Sequence, residues 1–108
     1  MSDIDIIEKI ISLSEKIVSY TQNLDYVTFS KNAITVEACA FNLSQIGELA
    51  HRLTSEFQNT YMNIPWKSIY GMRNKIIHDY DGVNLKVVWE TISDDLPQLI
   101  EELKKCIG

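Results

Sequence analysis

Proline is scarce in this chain, and cysteine equally so. There are two of each in 108 residues: Pro65, Pro97, Cys39 and Cys106. Two isolated cysteines make neither a disulfide framework nor a metal-ligand spacing, so no metal or cofactor is expected. Cys39 falls in an apolar helical run and reads as a small core residue. No apolar run approaches the roughly eighteen residues that a membrane span requires, which excludes a membrane partner of that kind. Net positive charge is missing too: the balance is −5. That argues against a protein that coats nucleic acid through a broad basic face. It leaves room for a small basic cleft, since Lys67, Arg73 and Lys75 lie close together and Lys86 follows. Such a cleft grips few phosphates and owes its selectivity to local geometry. The first residues, Met-Ser-Asp-Ile-Asp, are acidic where a secretory signal is basic, so a cytoplasmic location is expected. No repeat, low-complexity tract or linker divides the chain, and a single domain over 1–108 with one core follows.

What is present is helical periodicity. Ser2 to about Tyr20 reads as a first helix, with Ser2 and Asp5 forming a weak capping box. Its apolar residues, Ile4, Ile7, Ile11 and Val18 with Ile6, Ile10, Leu13 and Ile17, make a wide stripe. Thr21 to Phe29 reads as a connection, and Ser30 as the cap of a second helix reaching about Leu53. Val36, Ala40, Leu43, Ile46, Ala50 and Leu53 mark its buried face, and Glu48 stands four residues before Arg52 in the favourable acid-first order. Thr54 to Met62 suggests a short helix, and Asn63 to Pro65 a turn. Asn84 reads as the cap of a last helix that buries Val88, Trp89, Ile92, Leu96, Leu99, Ile100 and Leu103. Pro97 lies inside it and is expected to kink or break it. The fold predicted is all-α, an antiparallel bundle of four to five helices.

The segment Ile64 to Tyr80 holds the chemistry. Pro65 opens a helix, and Asp79, Asp81 and Gly82 read as its end. With Ile69 at 0° on a helical wheel, Trp66, Met72, Ile76, Ile77 and Tyr80 share its arc. Arg73 falls inside that arc, at about 40°, where a guanidinium is costly unless paired. Asn74 and His78, four apart, share another face. Read from the residues alone, Arg73 pairs with Glu48, Asp79 or Asp81 to hold helices in register, and His78 ends a helix beside its C-terminal dipole.

Arg73, four residues, His78, one residue, Tyr80 resembles the Arg-x-x-x-x-His-x-Tyr motif of HepT-like toxins in the HEPN superfamily. Ile64-Pro65-Trp66 ahead of Arg73-Asn74, with Val88-Trp89 and Leu96-Pro97 behind, widens the resemblance to nearly the whole chain. It implies a HEPN-like, homodimeric ribonuclease with Arg73 and His78 catalytic, Asn74 supporting, and Glu48 supporting from the helix packed alongside. It also implies a minimal nucleotidyltransferase antitoxin as partner, which silences the toxin by attaching AMP to Tyr80. RNA is the implied substrate, transfer RNA being one candidate.

Metal-independent RNA cleavage needs proton transfer at a 2′-OH and a leaving oxygen, for which histidine is suited. It also needs charge stabilisation at phosphate, for which arginine offers a rigid fork. Arg73 and His78 point about 140° apart on an ideal helix, so either the helix loosens before His78 or two copies share a cleft. The alternatives are a non-catalytic HEPN helper that presents nucleotide or substrate to a nucleotidyltransferase, and a structural dimerisation domain in which Arg73 is fully paired within its own chain.

Overall fold

The computed structural model describes residues 1–78 and 85–108, without the side chains of 74–78. The described residues form helices α1 (Asp3–Thr21), α2 (Tyr26–Lys31), α3 (Ala33–His51), α4 (Ser55–Thr60), α5 (Trp66–His78), α6 (Leu85–Glu90) and α7 (Leu96–Ile107). A π-helical turn, Thr91–Asp95, joins α6 to α7. No strand occurs among them, and the chain is the all-α bundle its periodicity predicts.

Local chemistry sets most boundaries. The Ser2 hydroxyl accepts from the Asp5 N–H, and the Asp5 carboxylate accepts from the Ser2 N–H, each at 3.2 Å, completing the capping box of α1. The expected connection at Thr21–Phe29 instead holds most of α2, because Asp25 accepts from the Thr28 N–H at 2.8 Å and starts a turn. Ser30 therefore lies inside α2, donating to the Val27 carbonyl, and the cap of α3 is Asn32. Thr54 caps α4 and ties it to the start of α1, its N–H and hydroxyl both donating to the Asp3 carboxylate. Pro65 sits just outside α5, its carbonyl accepting from the Ile69 N–H at 3.1 Å. The expected end of this helix at Asp79 to Gly82 and the cap at Asn84 fall outside the described residues.

Pro97 does not break the last helix. The helix widens into the π turn just before it, and Pro97 then occupies the first turn of α7. Widening relieves the clash between the pyrrolidine ring and the preceding carbonyls. The Thr91 and Ser93 hydroxyls donate to the carbonyls of Val87 and Trp89, each at 2.9 Å.

The core joins Ile7, Ile10 and Ile17 of α1 to Phe29, to Leu43 and Ile46 of α3, to Ile69 of α5 and to Leu96 and Leu103 of α7. The wide stripe of α1 is explained by two neighbours, α3 and α7. Its outer members Ile4 and Val18 remain exposed. Burial pushes the Cys39 thiol up to about 11, so it stays protonated and unreactive, as a core residue should.

Candidate active site

Arg73 reaches the surface from the seam where α5 packs on α3. Its position inside the apolar arc is real in the packing. A Cβ placed on Gly47 of α3 would stand 2.9 Å from the Arg73 Cβ, 3.1 Å from its backbone nitrogen and 3.2 Å from the Ile69 carbonyl oxygen. Only a residue without a side chain lets the two helices approach this closely. Next to that contact, Glu48 Oε1 lies 2.7 Å from Arg73 Nε. Gly47 thus brings the backbones together, and the adjacent Glu48 meets the guanidinium.

Neither charge is deeply buried. The Arg73 and Glu48 side chains are 42% and 38% exposed, so water screens the pair and it contributes about 1 kcal/mol or less to stability. The contact runs through Nε, one of five N–H donors on a guanidinium. An anion arriving at Arg73 therefore meets a half-hydrated cation already aimed by a carboxylate. The pair expected between Glu48 and Arg52 does not form; Arg52 is the exposed C-cap of α3, and Glu48 turns to α5.

Of the sequence-predicted residues, the structure brings Arg73 and Glu48 together. Asn74 and His78 belong to α5, but their side chains lie outside the described residues, as does Tyr80 altogether. The backbone of α5 is regular α-helix through His78, so the helix does not loosen between Arg73 and His78.

A contact that sequence reasoning did not find lies beside the pair: the rings of His51 and Tyr70 stack across the same seam. Its only sequence signal is that His51 follows Glu48 and Tyr70 precedes Arg73 by the same three residues. On the other flank of α5 a groove of about 570 Å³ is lined by Pro65, Ser68, Met72, Asp95, Leu99 and Glu102. Its two carboxylates disfavour a phosphate-bearing ligand.

Along the outer face of α3, Ile34 and Phe41 are 81% and 64% exposed. Each is seven residues from the next in the series Ile34, Phe41, Glu48, so one line on the helix runs from bare apolar surface to the ion pair.

The family model described as "Ribonuclease HepT-like" matches residues 7–106. A "Putative RNase" of Caldanaerobacter subterraneus subsp. tengcongensis is 34% identical over 101 residues, covering 94% of this chain and 90% of that protein. A "Putative RNase" of Methanocaldococcus jannaschii is 35% identical over 98 residues, covering 91% and 84%. The "Probable ribonuclease HepT" of Thermococcus cleftensis is 33% identical over 104 residues, covering 94% of each. No solved structure matches the chain. With a match spanning almost its full length, the chain belongs to the ribonuclease HepT-like family.

Proposed function

We infer that this protein is the toxin of a HEPN/nucleotidyltransferase toxin–antitoxin pair, a metal-independent endoribonuclease formed by one domain over 1–108 and acting as a homodimer in the cytoplasm. The observation that carries this reading is the exposed Arg73–Glu48 pair on the α3–α5 seam. A structural dimerisation domain requires Arg73 to be consumed by its own chain. A guanidinium that is 42% exposed and held through Nε is instead suited to receive phosphate.

In the proposed chemistry Arg73 stabilises the charge that accumulates on the phosphate as the 2′-oxygen attacks. His78 moves the protons, taking one from the 2′-OH or delivering one to the departing 5′-oxygen. Glu48 orients the guanidinium, and Asn74 binds a ribose hydroxyl or phosphate oxygen or steadies His78. The regular course of α5 favours a cleft shared between two copies, in which the Arg73 of one protomer works near the His78 of the other. The line of Ile34 and Phe41 leading to Glu48 suits a second copy, which would cover apolar surface and enclose the ion pair together. Tyr80, two residues beyond His78, is the proposed site of AMP addition by the antitoxin. Its phosphate would compete for Arg73 and repel RNA.

The test is cleavage of mixed RNA by the unmodified protein and by Arg73→Ala and His78→Ala. Each variant is expected to lose about 10²- to 10³-fold in rate, the scale of removing one charge-stabilising donor or one acid–base group. Undiminished cleavage in both would reject the assignment. A protein that binds nucleotide and cuts no RNA would instead be the non-catalytic helper of a nucleotidyltransferase.

A further inference from the structure

His51 and Tyr70 form a second cross-helix contact beside Glu48 and Arg73. Their ring centroids are 4.0 Å apart and the planes are inclined by 17°, a near-parallel stack. His51 is three residues beyond Glu48 on α3, and Tyr70 three before Arg73 on α5. That spacing makes side chains neighbours on one helix face, with Cβ atoms about 5–6 Å apart. The stack and the ion pair are therefore adjacent on both helices.

The Tyr70 ring is held from the core. Its hydroxyl donates to Gln58 Oε1. The Gln58 side-chain nitrogen donates to the Leu53 carbonyl at 3.1 Å, which fixes the end of the amide that faces the phenol. The Gln58 backbone carbonyl accepts from the indole N–H of buried Trp66 at 3.2 Å. Burial raises the Tyr70 phenol above its ordinary pKa, with the Gln58 hydrogen bond pulling the other way, so it remains a donor at neutral pH. His51, by contrast, is exposed. An imidazole lying on a fixed phenol is a flat surface already ordered before any ligand arrives, which lowers the cost of binding one.

A flat aromatic surface beside a phosphate-binding guanidinium fits a ligand that carries a planar ring and a phosphate on one framework. Bases of single-stranded nucleic acid stack on such side chains with little regard to sequence, whereas duplex bases are already stacked on each other. The charge of −5 adds weight, because a chain with few cations to spend on phosphates needs another source of affinity. We propose that the His51–Tyr70 stack is a nucleobase-stacking subsite that seats one base of single-stranded RNA next to Arg73. The choice of RNA rests on the ribonuclease reading; the stacking surface does not.

The full chain has two histidines, so the His51 ring protons can be followed by NMR and assigned with His51→Ala. Titration with adenosine 5′-monophosphate is expected to shift them upfield, and ribose 5-phosphate, which lacks a base, is expected not to. Affinity for the nucleotide should fall about tenfold in His51→Ala and be retained in His51→Phe, which keeps a stacking ring. With a short single-stranded RNA, KM should rise in His51→Ala at unchanged kcat and recover in His51→Phe. An unshifted His51 together with an unchanged KM would overturn the subsite. So would a kcat loss shared by His51→Ala and His51→Phe with a missing limb in the pH profile, which would make His51 a proton-transfer group. The ribonuclease reading fails separately, if the wild type cuts no RNA or Arg73→Ala cuts it undiminished; the nucleotide titration decides the stacking surface in either case.

Discussion

Arg73 faces two demands that pull in opposite directions. Its Cα–Cβ bond is committed to the α3–α5 packing, where Gly47 leaves it room, while in the proposed role its guanidinium, 42% exposed, must stay hydrated enough to meet an incoming anion. The long aliphatic stem reconciles them, lying along the seam and carrying the charge to the rim. Glu48 then limits where the fork points at little energetic gain. Control of such a site by a covalent charge follows the same logic. Co-expressed with a cognate nucleotidyltransferase, the chain is expected to acquire AMP at Tyr80, mapped by peptide mass spectrometry, and to lose RNA cleavage. Tyr80→Phe keeps an aromatic ring without the acceptor oxygen and should stay unmodified and active. A Tyr80→Phe protein that is still modified and still silenced would remove Tyr80 from the scheme.

At the scale of elements, α3 and α5 are set by one glycine. Gly47→Ala places a methyl 2.9 Å from the Arg73 Cβ, and neither that atom nor the Ile69 carbonyl can move without shifting a helix. The substitution is expected to cost about 1–3 kcal/mol in urea unfolding and to lower activity by displacing Arg73. Wild-type stability and rate in Gly47→Ala would show the helices free to slide apart. A second element carries a pH dependence of known sign. The Thr28 backbone N–H holds the Asp25 carboxyl below its usual range, so the α2 cap stabilises the fold above about pH 4 and is lost as pH falls through the depressed value. Asp25→Asn keeps a capping oxygen that does not titrate. The melting-temperature difference between wild type and Asp25→Asn should be flat above about pH 5 and move against the wild type on acidification. A difference that does not change with pH would mean the carboxylate is not the acceptor that matters.

Much of this was legible in order along the chain. The buried face of α3 from Ala40 through Leu43 and Ile46 to Ala50, with Val36 half-buried at its start, and the capping box at Ser2 follow from spacing, because helix periodicity is local. The start of α3 was misplaced because Ser30 and Asn32 are both competent caps, and the choice between them depended on Asp25 starting α2 first. The π turn before Pro97 was not legible, since a proline requires relief without saying which form it takes. The Arg73–Glu48 contact was one of several pairings the residues allowed. The His51–Tyr70 stack left only matching offsets from Glu48 and Arg73 in the sequence, because the partner of an exposed side chain across a helix seam is decided by tertiary packing.

For the whole molecule, the proposed shared cleft requires two copies. Ile34 and Phe41 leave apolar side chains exposed on the line of α3 that leads to Glu48, and on the regular helix of α5 positions 73 and 78 lie about 140° apart, which favours the proposed shared cleft. Sedimentation equilibrium at micromolar concentration is expected to give a dimer, and Phe41→Glu, whose side chain does not enter the core, is expected to give a folded monomer with little activity. A wild-type monomer active at full specific rate would show that one chain builds the entire site. The proposed chemistry is tested most directly by the identity of the ends left on RNA cut in the presence of EDTA. The expected products carry a 2′,3′-cyclic phosphate and a 5′-OH, with Arg73→Ala and His78→Ala each yielding almost none. Cleavage abolished by EDTA, or products bearing a 5′-phosphate, would contradict it.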